Sequence, residues 1–178
     1  MSYRTTGYLA AFIGLALDQA VKLWMLWIYQ IEEVMRLHGP VALAPFFDLV
    51  LVWNRGISYG WLQQDDEIGR IFLIGLAFVA SIVLAIWIWR TRDRLTALAL
   101  GLIMGGAIGN GIDRILHGAV VDLFHFHWRA FSWYVFNIAD LFIVLGALLL
   151  VYESFFGTSG NGNRPEDGDS SRKDAAKG

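Results

Sequence analysis

Four long apolar stretches constrain this chain more than any other feature of its sequence. They cover approximately residues 7–28, 68–89, 95–116 and 136–156. Each is close to the roughly 20 residues that an α-helix needs to cross a hydrocarbon core about 30 Å thick. Charged residues make up only 17% of the chain, whereas soluble domains usually carry about 25%. The sequence therefore predicts a membrane protein, mainly α-helical, with four transmembrane helices.

The loop between the second and third stretches sets the expected orientation. It is short and carries three arginines within residues 90–94. Short loops rich in Lys and Arg remain in the cytoplasm. We therefore expect both termini in the cytoplasm, with the loops at about 29–67 and 117–135 on the outer side.

The two outer loops are predicted to carry structure. The segments Phe46–Trp53 and Val120–Trp128 are rich in β-branched and aromatic residues, which favours strands. Apolar and acidic residues mix in Ile31–Leu37, which indicates a short interfacial helix. We expect a small extracytoplasmic β-sheet on a membrane domain of residues 1–156. The Gly, Ser, Asn, Asp and Lys composition of residues 157–178 predicts a disordered cytoplasmic tail.

Two aspartates lie at one predicted depth, near the outer surface of the membrane. Asp122 comes just after the third span, and Asp140 lies about one turn into the fourth. Two carboxylates close together in a poorly solvated site share a proton. One can then activate water while the other acts as an acid, which suffices for peptide hydrolysis without a metal or other cofactor. The sequence therefore predicts an aspartic-type catalytic pair.

Other ionisable residues gather in the same layer, although each costs roughly 2.5–3.5 kcal/mol at a helix centre on insertion scales. Asp18 and Lys22 are four residues apart, so they can neutralise each other on one helix face. Asp113 and Arg114, with Asn110, fit a buried polar network at the end of the third span. For both groups, a purely structural role remains open beside a role in the site.

Other chemistries have weaker support. His125 and His127 share a strand face near Asp122, and histidine binds metals. However, the sequence shows no third strong ligand and no H-E-x-x-H motif, so no metal site is predicted. Ser81 has no intramembrane histidine to activate it. With no cysteine and a net charge of −2, thiol catalysis is excluded and nothing indicates a nucleic-acid partner.

Two non-peptidase functions remain as alternatives. Intramembrane charges also mark the paths of ion and proton carriers. Against a small carrier, the charges of this chain gather at one side of the membrane and no internal repeat is visible. A non-catalytic membrane assembly subunit would tolerate the replacement of either aspartate by asparagine.

Four motifs together resemble one family. Residues 105–114, Gly-Gly-Ala-Ile-Gly-Asn-Gly-Ile-Asp-Arg, followed by Gly118 and Val120-Val121-Asp122, resemble the signature of bacterial lipoprotein signal peptidases, also called signal peptidase II. Phe136-Asn137-Ile138-Ala139-Asp140 is similar to the second aspartate motif of that family. Asp18-Gln19 with Lys22 resembles its first-helix motif, and Asn54-Arg55-Gly56 its outer-loop motif. The resemblance covers about residues 7–155, in order.

The resemblance implies a membrane aspartic endopeptidase of the bacterial inner membrane. Such an enzyme removes signal peptides from diacylglyceryl-modified prolipoproteins, cutting before the lipidated cysteine. It implies that Asp122 and Asp140 are catalytic. The residues expected to bind substrate or inhibitor, or to support the site, are Asp18, Lys22, Asn54, Gly56, Asn110, Asp113, Arg114 and Asn137. The expected partners are prolipoproteins, membrane lipids and the cyclic peptide inhibitor globomycin, and the expected state is a monomer.

The chain departs from the family pattern at two places. Ser58-Tyr59-Gly60 stands where the family usually has small and aromatic residues such as Ala-Phe-Ser. Leu141 follows Asp140, where the family often has serine. Neither departure changes a carboxylate, so both bear on substrate fit and inhibitor affinity.

Overall fold

The computed structural model describes residues 2–56, 67–129 and 131–156. Within these ranges the helices are α1 (Tyr3–Leu23), α2 (Ile31–His38), α3 (Glu67–Arg90), α4 (Arg94–His117) and α5 (Ile138–Phe156), and a π-helical turn, Trp24–Ile28, extends α1. The strands are β1 (Val41–Ala44), β2 (Phe47–Asn54), β3 (Val120–Trp128) and β4 (Phe131–Phe136).

Four of the helices are long and apolar enough to cross a membrane: α1 with its π-helical extension, α3, α4 and α5. Their windows have mean hydropathies between 1.5 and 2.8, so each can span by length and composition. The four predicted spans are therefore confirmed. The fourth begins at Ile138, two residues later than predicted, because Phe136 belongs to β4.

The helix α4 is the centre of the bundle and packs against α1, α3 and α5. Two of its glycines allow this close packing. A Cβ built on Gly101 would collide with the backbone oxygen of Gly7 in α1, and one on Gly106 would collide with that of Ala139 in α5. Small residues of this kind let helix backbones approach closely within a membrane.

The strands form one antiparallel sheet in the order β1-β2-β3-β4. The strands predicted at Phe46–Trp53 and Val120–Trp128 are confirmed as β2 and β3. The pairing of β2 with β3 sets Val52 opposite Asp122 and Asn54 opposite Val120. This register brings the end of the first long loop beside the start of β3.

The helix predicted over Ile31–Leu37 is confirmed as α2. It begins directly after Gln30, whose φ of 54° lets the chain turn away from the end of α1. Its first residue, Ile31, is buried with Leu49, Val121 and Leu123 of the sheet. The helix is thus anchored on the sheet by its N-terminal end.

Two groups of predicted features lie outside the described residues. One is the departure from the family pattern at Ser58-Tyr59-Gly60. The other is the predicted cytoplasmic tail, residues 157–178.

Candidate active site

Asp122 lies at the centre of a polar site where the sheet meets the bundle. Its side chain is held from two sides: Asn137 Nδ2 donates to Oδ1 at 2.6 Å, and Asn54 Nδ2 donates to Oδ2 at 2.9 Å. The residue is only 1% exposed. Asp122 is therefore a buried carboxyl group whose two oxygens are each fixed by an amide.

Asp140 lies in the first turn of α5 and is partly exposed. It forms a reciprocal pair with Asn137: the Asp140 N–H donates to Asn137 Oδ1 at 3.0 Å, and the Asn137 N–H donates to Asp140 Oδ2 at 3.3 Å. This exchange is a capping-box arrangement at a helix N-terminus. Asn110 Nδ2 donates to the other oxygen, Oδ1, at 2.9 Å. The side chain of Asp140 is thus oriented by α4 and by its own helix.

Asn137 connects the two carboxyl groups. Its side-chain amide donates to Asp122, while its backbone N–H donates to Asp140. The same amide also donates to Asn110 Oδ1 at 3.1 Å. Because Asn137 is fully buried, its contacts are shielded from water and the positions of the two aspartates are coupled.

A buried ionic cluster lies beside this pair. Lys22 Nζ is 2.8 Å from Asp18 Oδ2 and 2.7 Å from Asp113 Oδ2, and it donates to Asn110 Oδ1 at 3.3 Å. The pairing of Asp18 with Lys22 follows their spacing in α1. The contact between Lys22 and Asp113 joins α1 to α4.

Both carboxylates of the cluster also hold backbone groups. Asp18 Oδ1 accepts the N–H of Ala139 at 2.9 Å, in the first turn of α5. Asp113 Oδ2 accepts the N–H of Val121 at 3.1 Å, in β3. Ala139 directly precedes Asp140 and Val121 directly precedes Asp122, so the cluster positions the backbone next to each aspartate.

Arg114 hydrogen-bonds a backbone oxygen of the expected polar network. Its Nη1 donates to the backbone oxygen of Asn110 at 3.0 Å. Its Nε is buried and has no hydrogen-bond partner within the described ranges. The guanidinium interacts electrostatically with Asp113, Asp122 and Asp140, so it adds positive charge beside the pair.

Asn54 is oriented by the chain that follows it. The N–H of Gly56 donates to Asn54 Oδ1 at 3.2 Å, which leaves the Nδ2 of Asn54 to donate to Asp122. The predicted site residues Asn54 and Gly56 therefore both act at Asp122, one directly and one through the other.

Burial is the main influence on the acidity of Asp122. It raises the pKa of Asp122 from its ordinary value of 3.8 to about 6, and the charge of Asp140 adds to the rise. Hydrogen bonds from Asn54 and Asn137 and the charge of Lys22 act in the opposite direction. Asp122 can therefore hold a proton at a pH where an exposed aspartate would not.

The two histidines of β3 are directed elsewhere. His127 Nε2 is 2.9 Å and His125 Nδ1 is 3.9 Å from Asp48 Oδ2, in β2. Neither has a contact with Asp122 among those of the described residues. The described part of the chain contains no group of three His, Asp or Glu side chains arranged to hold a metal ion.

Gln19 also belongs to the cluster, although it was predicted only as part of the first-helix motif with Asp18 and Lys22 and not as a site residue. Its Nε2 donates to Asp18 Oδ2 at 3.1 Å and to Asp113 Oδ1 at 3.0 Å. It thereby reaches Asp113 Oδ1, for which no contact with Lys22 is seen among the described residues, and shares Asp18 Oδ2 with Lys22. Its place beside Asp18, inside an apolar stretch, was the available signal.

The fold and this site correspond to a known family of membrane proteins. The family model described as signal peptidase (SPase) II matches residues 10–156. The chain therefore belongs to the signal peptidase II family, which consists of aspartic-type peptidases. Together with the four helices, this makes the chain a multi-pass membrane protein of a bacterial type.

Individual relatives agree with the family. The chain is 51% identical to a lipoprotein signal peptidase of Beijerinckia indica subsp. indica over 155 residues, covering 87% of this chain and 90% of that protein. It is 49% identical to one of Methylocella silvestris over 162 residues, covering 91% and 92%. A solved bacterial membrane enzyme has a similar fold, with a TM-score of 0.72 and 25% identity over 89% of this chain and 93% of that one.

Proposed function

We propose that this chain removes signal peptides from diacylglyceryl-modified prolipoproteins, cutting before the lipidated cysteine. The observation that supports this best is the pair Asp122 and Asp140, both held by Asn137 where the bundle meets the sheet. Peptide hydrolysis by two carboxyl groups requires them to share one site and to differ in protonation. The burial of Asp122 and the partial exposure of Asp140 supply that difference.

In the proposed reaction, the two aspartates act as one titrating pair that holds a single proton. The raised pKa of Asp122, about 6, favours Asp122 as the proton carrier. Asp140 takes a proton from a water molecule while the oxygen of that water bonds to the scissile carbonyl carbon. Asp122 hydrogen-bonds the carbonyl oxygen and then gives its proton to the leaving nitrogen, while Asp140 keeps the proton taken from water, so the pair still holds a single proton. When the C–N bond breaks, the leaving nitrogen has gained a proton and the peptide carbonyl has become a carboxyl group.

The surrounding polar residues have a positioning role in this proposal. Asn54, Asn110 and Asn137 each donate to a carboxyl oxygen of the pair, so they fix which lone pairs face the substrate. Arg114 brings a positive charge that can stabilise negative charge developing on the scissile carbonyl. Orientation of reacting groups by fixed dipoles is a large part of enzymatic rate enhancement.

Lys22 forms ion pairs with Asp18 and Asp113. It has no ion pair with Asp122 or Asp140 among the described contacts. Lys22, Asp18 and Asp113 anchor the backbone before Asp140 and before Asp122. We propose that they maintain the separation of the pair as substrate enters and product leaves. Gly56 acts on the site through Asn54.

We also propose the location of the protein and two further binding properties. The basic loop at residues 90–94 supports termini in the cytoplasm and a site at the outer face of the inner membrane, because short loops rich in Lys and Arg remain in the cytoplasm. The protein acts as a monomer on substrates that arrive within the bilayer. Globomycin blocks the reaction by occupying the position between Asp122 and Asp140.

The test is a gel-shift cleavage assay with a diacylglyceryl-modified prolipoprotein in detergent. The wild type is compared with Asp122→Asn, Asp140→Asn and the control Asp93→Asn. Asp93 caps α4 at the opposite end of the bundle, and asparagine caps helices as well as aspartate does. We expect cleavage by the wild type and by Asp93→Asn, inhibited by globomycin, and none by the other two variants. Turnover by a folded Asp122→Asn or Asp140→Asn protein would contradict the paired mechanism.

The same assay distinguishes a peptidase from the two alternative functions. A carrier or an assembly subunit would show no cleavage by a folded wild-type protein. The identity of the new N-terminus, determined by mass spectrometry, tests the proposed position of the cut. A product that does not begin with the lipidated cysteine would contradict that part of the proposal.

A further inference from the structure

An apolar groove runs along the side of the bundle between α3 and α4. Its volume is about 670 Å³, within the range of roughly 300–1,000 Å³ that is common for small-molecule sites. Ile71 and Ile115 lie near the sheet end of the groove, and Ala85 and Met104 lie near its other end. Ala85 lies 14 positions after Ile71, which corresponds to a length of about 21 Å at 1.5 Å per residue.

The groove lies along the exposed middle of α3, whose buried residues are Gly69 and Leu73 near the sheet and Ile88 toward the far end. There Ile88 is fully buried and lies against Gly7 of α1. Other side chains of α3 are open to the surroundings: Ile71 is 60% exposed and Phe78 is 67% exposed. Ala77 and Gly111 touch across the floor, where a Cβ on Gly111 would lie 3.4 Å from that of Ala77.

The lining favours a hydrocarbon occupant. Ser81 is the polar side chain of the lining, and its hydroxyl donates to the backbone oxygen of Ala77 at 2.7 Å. The other lining residues are aliphatic, Phe, Met or Gly. A groove of this kind offers a ligand dispersion contacts and has no polar group that must be satisfied.

The groove is separate from the aspartate site. On α4 it is lined by Ile108 and Ile112, whereas Asn110 lies between them in sequence and donates to Asp140. A difference of two residues is about 200° around a helix. The groove and the aspartate pair are therefore on different flanks of α4.

A cation lies where the groove reaches the sheet end. Arg70 directly precedes Ile71, and its Nη1 is 3.5 Å from a Cβ built on Gly118, just after the end of α4. Its Nε is buried without a hydrogen-bond partner among the described residues. Its contact with Glu67 is long, at 3.7 Å, and Glu67 is 80% exposed. Within the described ranges, the guanidinium therefore has donors that can bind an anion.

From the apolar groove and the cation at its end, we propose a binding site for one membrane phospholipid. One acyl chain lies in the groove between α3 and α4, and the phosphate group is held by Arg70. A lipid tail must reach across half of a core about 30 Å thick, so a groove about 21 Å long can receive it along most of its length. Arginine is well suited to phosphate because its fork of donors matches the phosphate oxygens. This inference does not depend on the proposed peptidase reaction.

The test is native mass spectrometry of the full chain in detergent, titrated with dioleoylphosphatidylglycerol or with dioleoylglycerol, which lacks the phosphate. Gly75→Phe fills the groove, because a Cβ built on Gly75 meets no described atom within 4 Å. Leu76→Phe is the matched control, since Leu76 is exposed on α3 outside the lining. We expect Gly75→Phe to weaken binding of both lipids by about tenfold or more, because several methylenes lose their contacts, and Leu76→Phe to bind like the wild type.

Arg70→Gln tests the contribution of the phosphate group to binding separately from that of the acyl chains. It should weaken binding of dioleoylphosphatidylglycerol by about tenfold and leave dioleoylglycerol unchanged, because one charge-assisted contact is lost. Arg90→Gln, at the opposite end of α3, is its control and should have no effect. Equal lipid binding by Gly75→Phe and Leu76→Phe would overturn the proposal. So would a dimer that Gly75→Phe abolishes, or release of the bound phospholipid by a stoichiometric amount of diacylglyceryl-modified prolipoprotein.

Discussion

The environments of the two central aspartates differ although their sequence contexts look alike. Asp122 is enclosed by the sheet and receives amide donors on both oxygens, whereas Asp140 is partly exposed at the start of α5. A buried carboxyl group whose pKa is raised stores unfavourable free energy when it is ionised. Sites of this kind commonly reduce the stability of a protein in return for function.

The raised pKa makes the stability of the wild type depend on pH. A carboxyl group with a pKa of 3.8 when unfolded and about 6 when folded contributes stability that is fully present below about pH 4. This contribution is lost as the pH rises through 6. A pKa difference of about 2 corresponds to about 3 kcal/mol of unfolding free energy. Because asparagine carries no charge at pH 7.5, Asp122→Asn should raise the unfolding temperature at pH 7.5 and have little effect at pH 4.

Differential scanning fluorimetry of the two proteins in detergent measures this dependence. Asp93→Asn controls for the loss of an exposed aspartate and should change the unfolding temperature little at either pH. A destabilisation by Asp122→Asn that is the same at both pH values would show that the carboxyl group is not strained when ionised.

The two functions of Asn137 can be separated by substitution. Asn137→Ala removes the cap of α5, which should cost about 1 kcal/mol, and also removes the amide that holds Asp122 at 2.6 Å. Asn137→Ser keeps a capping oxygen, since serine caps about as well as asparagine, but has no amide donor. We expect both variants to lose activity by about tenfold or more, while only Asn137→Ala loses the capping contribution to stability.

Steady-state cleavage and thermal unfolding of the two variants measure the two effects. An Asn137→Ser protein with wild-type kcat/KM would show that the bridge to Asp122 has no part in the reaction. Equal unfolding temperatures for the two variants would show that the cap contributes little.

At the scale of the elements, sequence patterns predicted those with a clear signature. The four spans, β2, β3 and α2 were predicted because length, β-branched content or mixed polarity marked each one. Neither β1 nor β4 was predicted. The strand β1 has four residues, two of them alanines with low β-propensity. In β4 the exposed aromatic residues Phe131, Trp133 and Tyr134 give no alternating pattern of polar and apolar residues, so the sequence does not indicate a strand there.

The sequence predicted the depth of the candidate site in the membrane but not the contacts between its residues. Counting residues from the ends of the spans placed Asp122 and Asp140 in one layer, and the structure brings both to Asn137. The contact between Lys22 and Asp113 joins residues 91 positions apart, and no local spacing indicates it. Which aspartate is buried depends on the pairing of β2 with β3, which sequence patterns alone do not determine.

The cluster around Lys22 joins the elements more strongly than a surface ion pair could. Lys22→Met would leave Asp18 and Asp113 buried without their cation, and removing one partner of a buried pair costs about 3–5 kcal/mol. Arg36→Met is the matched control, because the ion pair of Arg36 with Glu33 is exposed and such pairs contribute at most about 1 kcal/mol. We expect a large fall in unfolding temperature for Lys22→Met and almost none for Arg36→Met.

Chemical unfolding in mixed micelles provides an independent measurement of the two variants. The double variant Lys22→Met/Asp113→Asn removes one of the two uncompensated charges, so it should recover part of the loss. No recovery would show that the damage comes from packing at Lys22 and not from the buried charge.

At the scale of the whole molecule, the buried polar side chains of the described residues are concentrated at one end of the bundle. The sheet, the aspartate pair, the ionic cluster and Arg70 all lie at that end, while the basic segment 90–94 lies at the other. This asymmetry fits a protein that receives its substrate from within the bilayer and carries out chemistry at one surface. It also means that the orientation in the membrane decides on which side the product is released.

Orientation can be tested directly because the chain contains no cysteine. A single cysteine in Thr91→Cys or in Ser132→Cys is then the only thiol for a membrane-impermeant maleimide. Thr91 lies between α3 and α4, and Ser132 is exposed in β4. By the distribution of basic residues, intact spheroplasts should label Ser132→Cys, and Thr91→Cys should react only after permeabilisation. The reverse pattern would place the aspartate pair at the cytoplasmic face, where a peptidase acting on exported precursors could not reach its cleavage site.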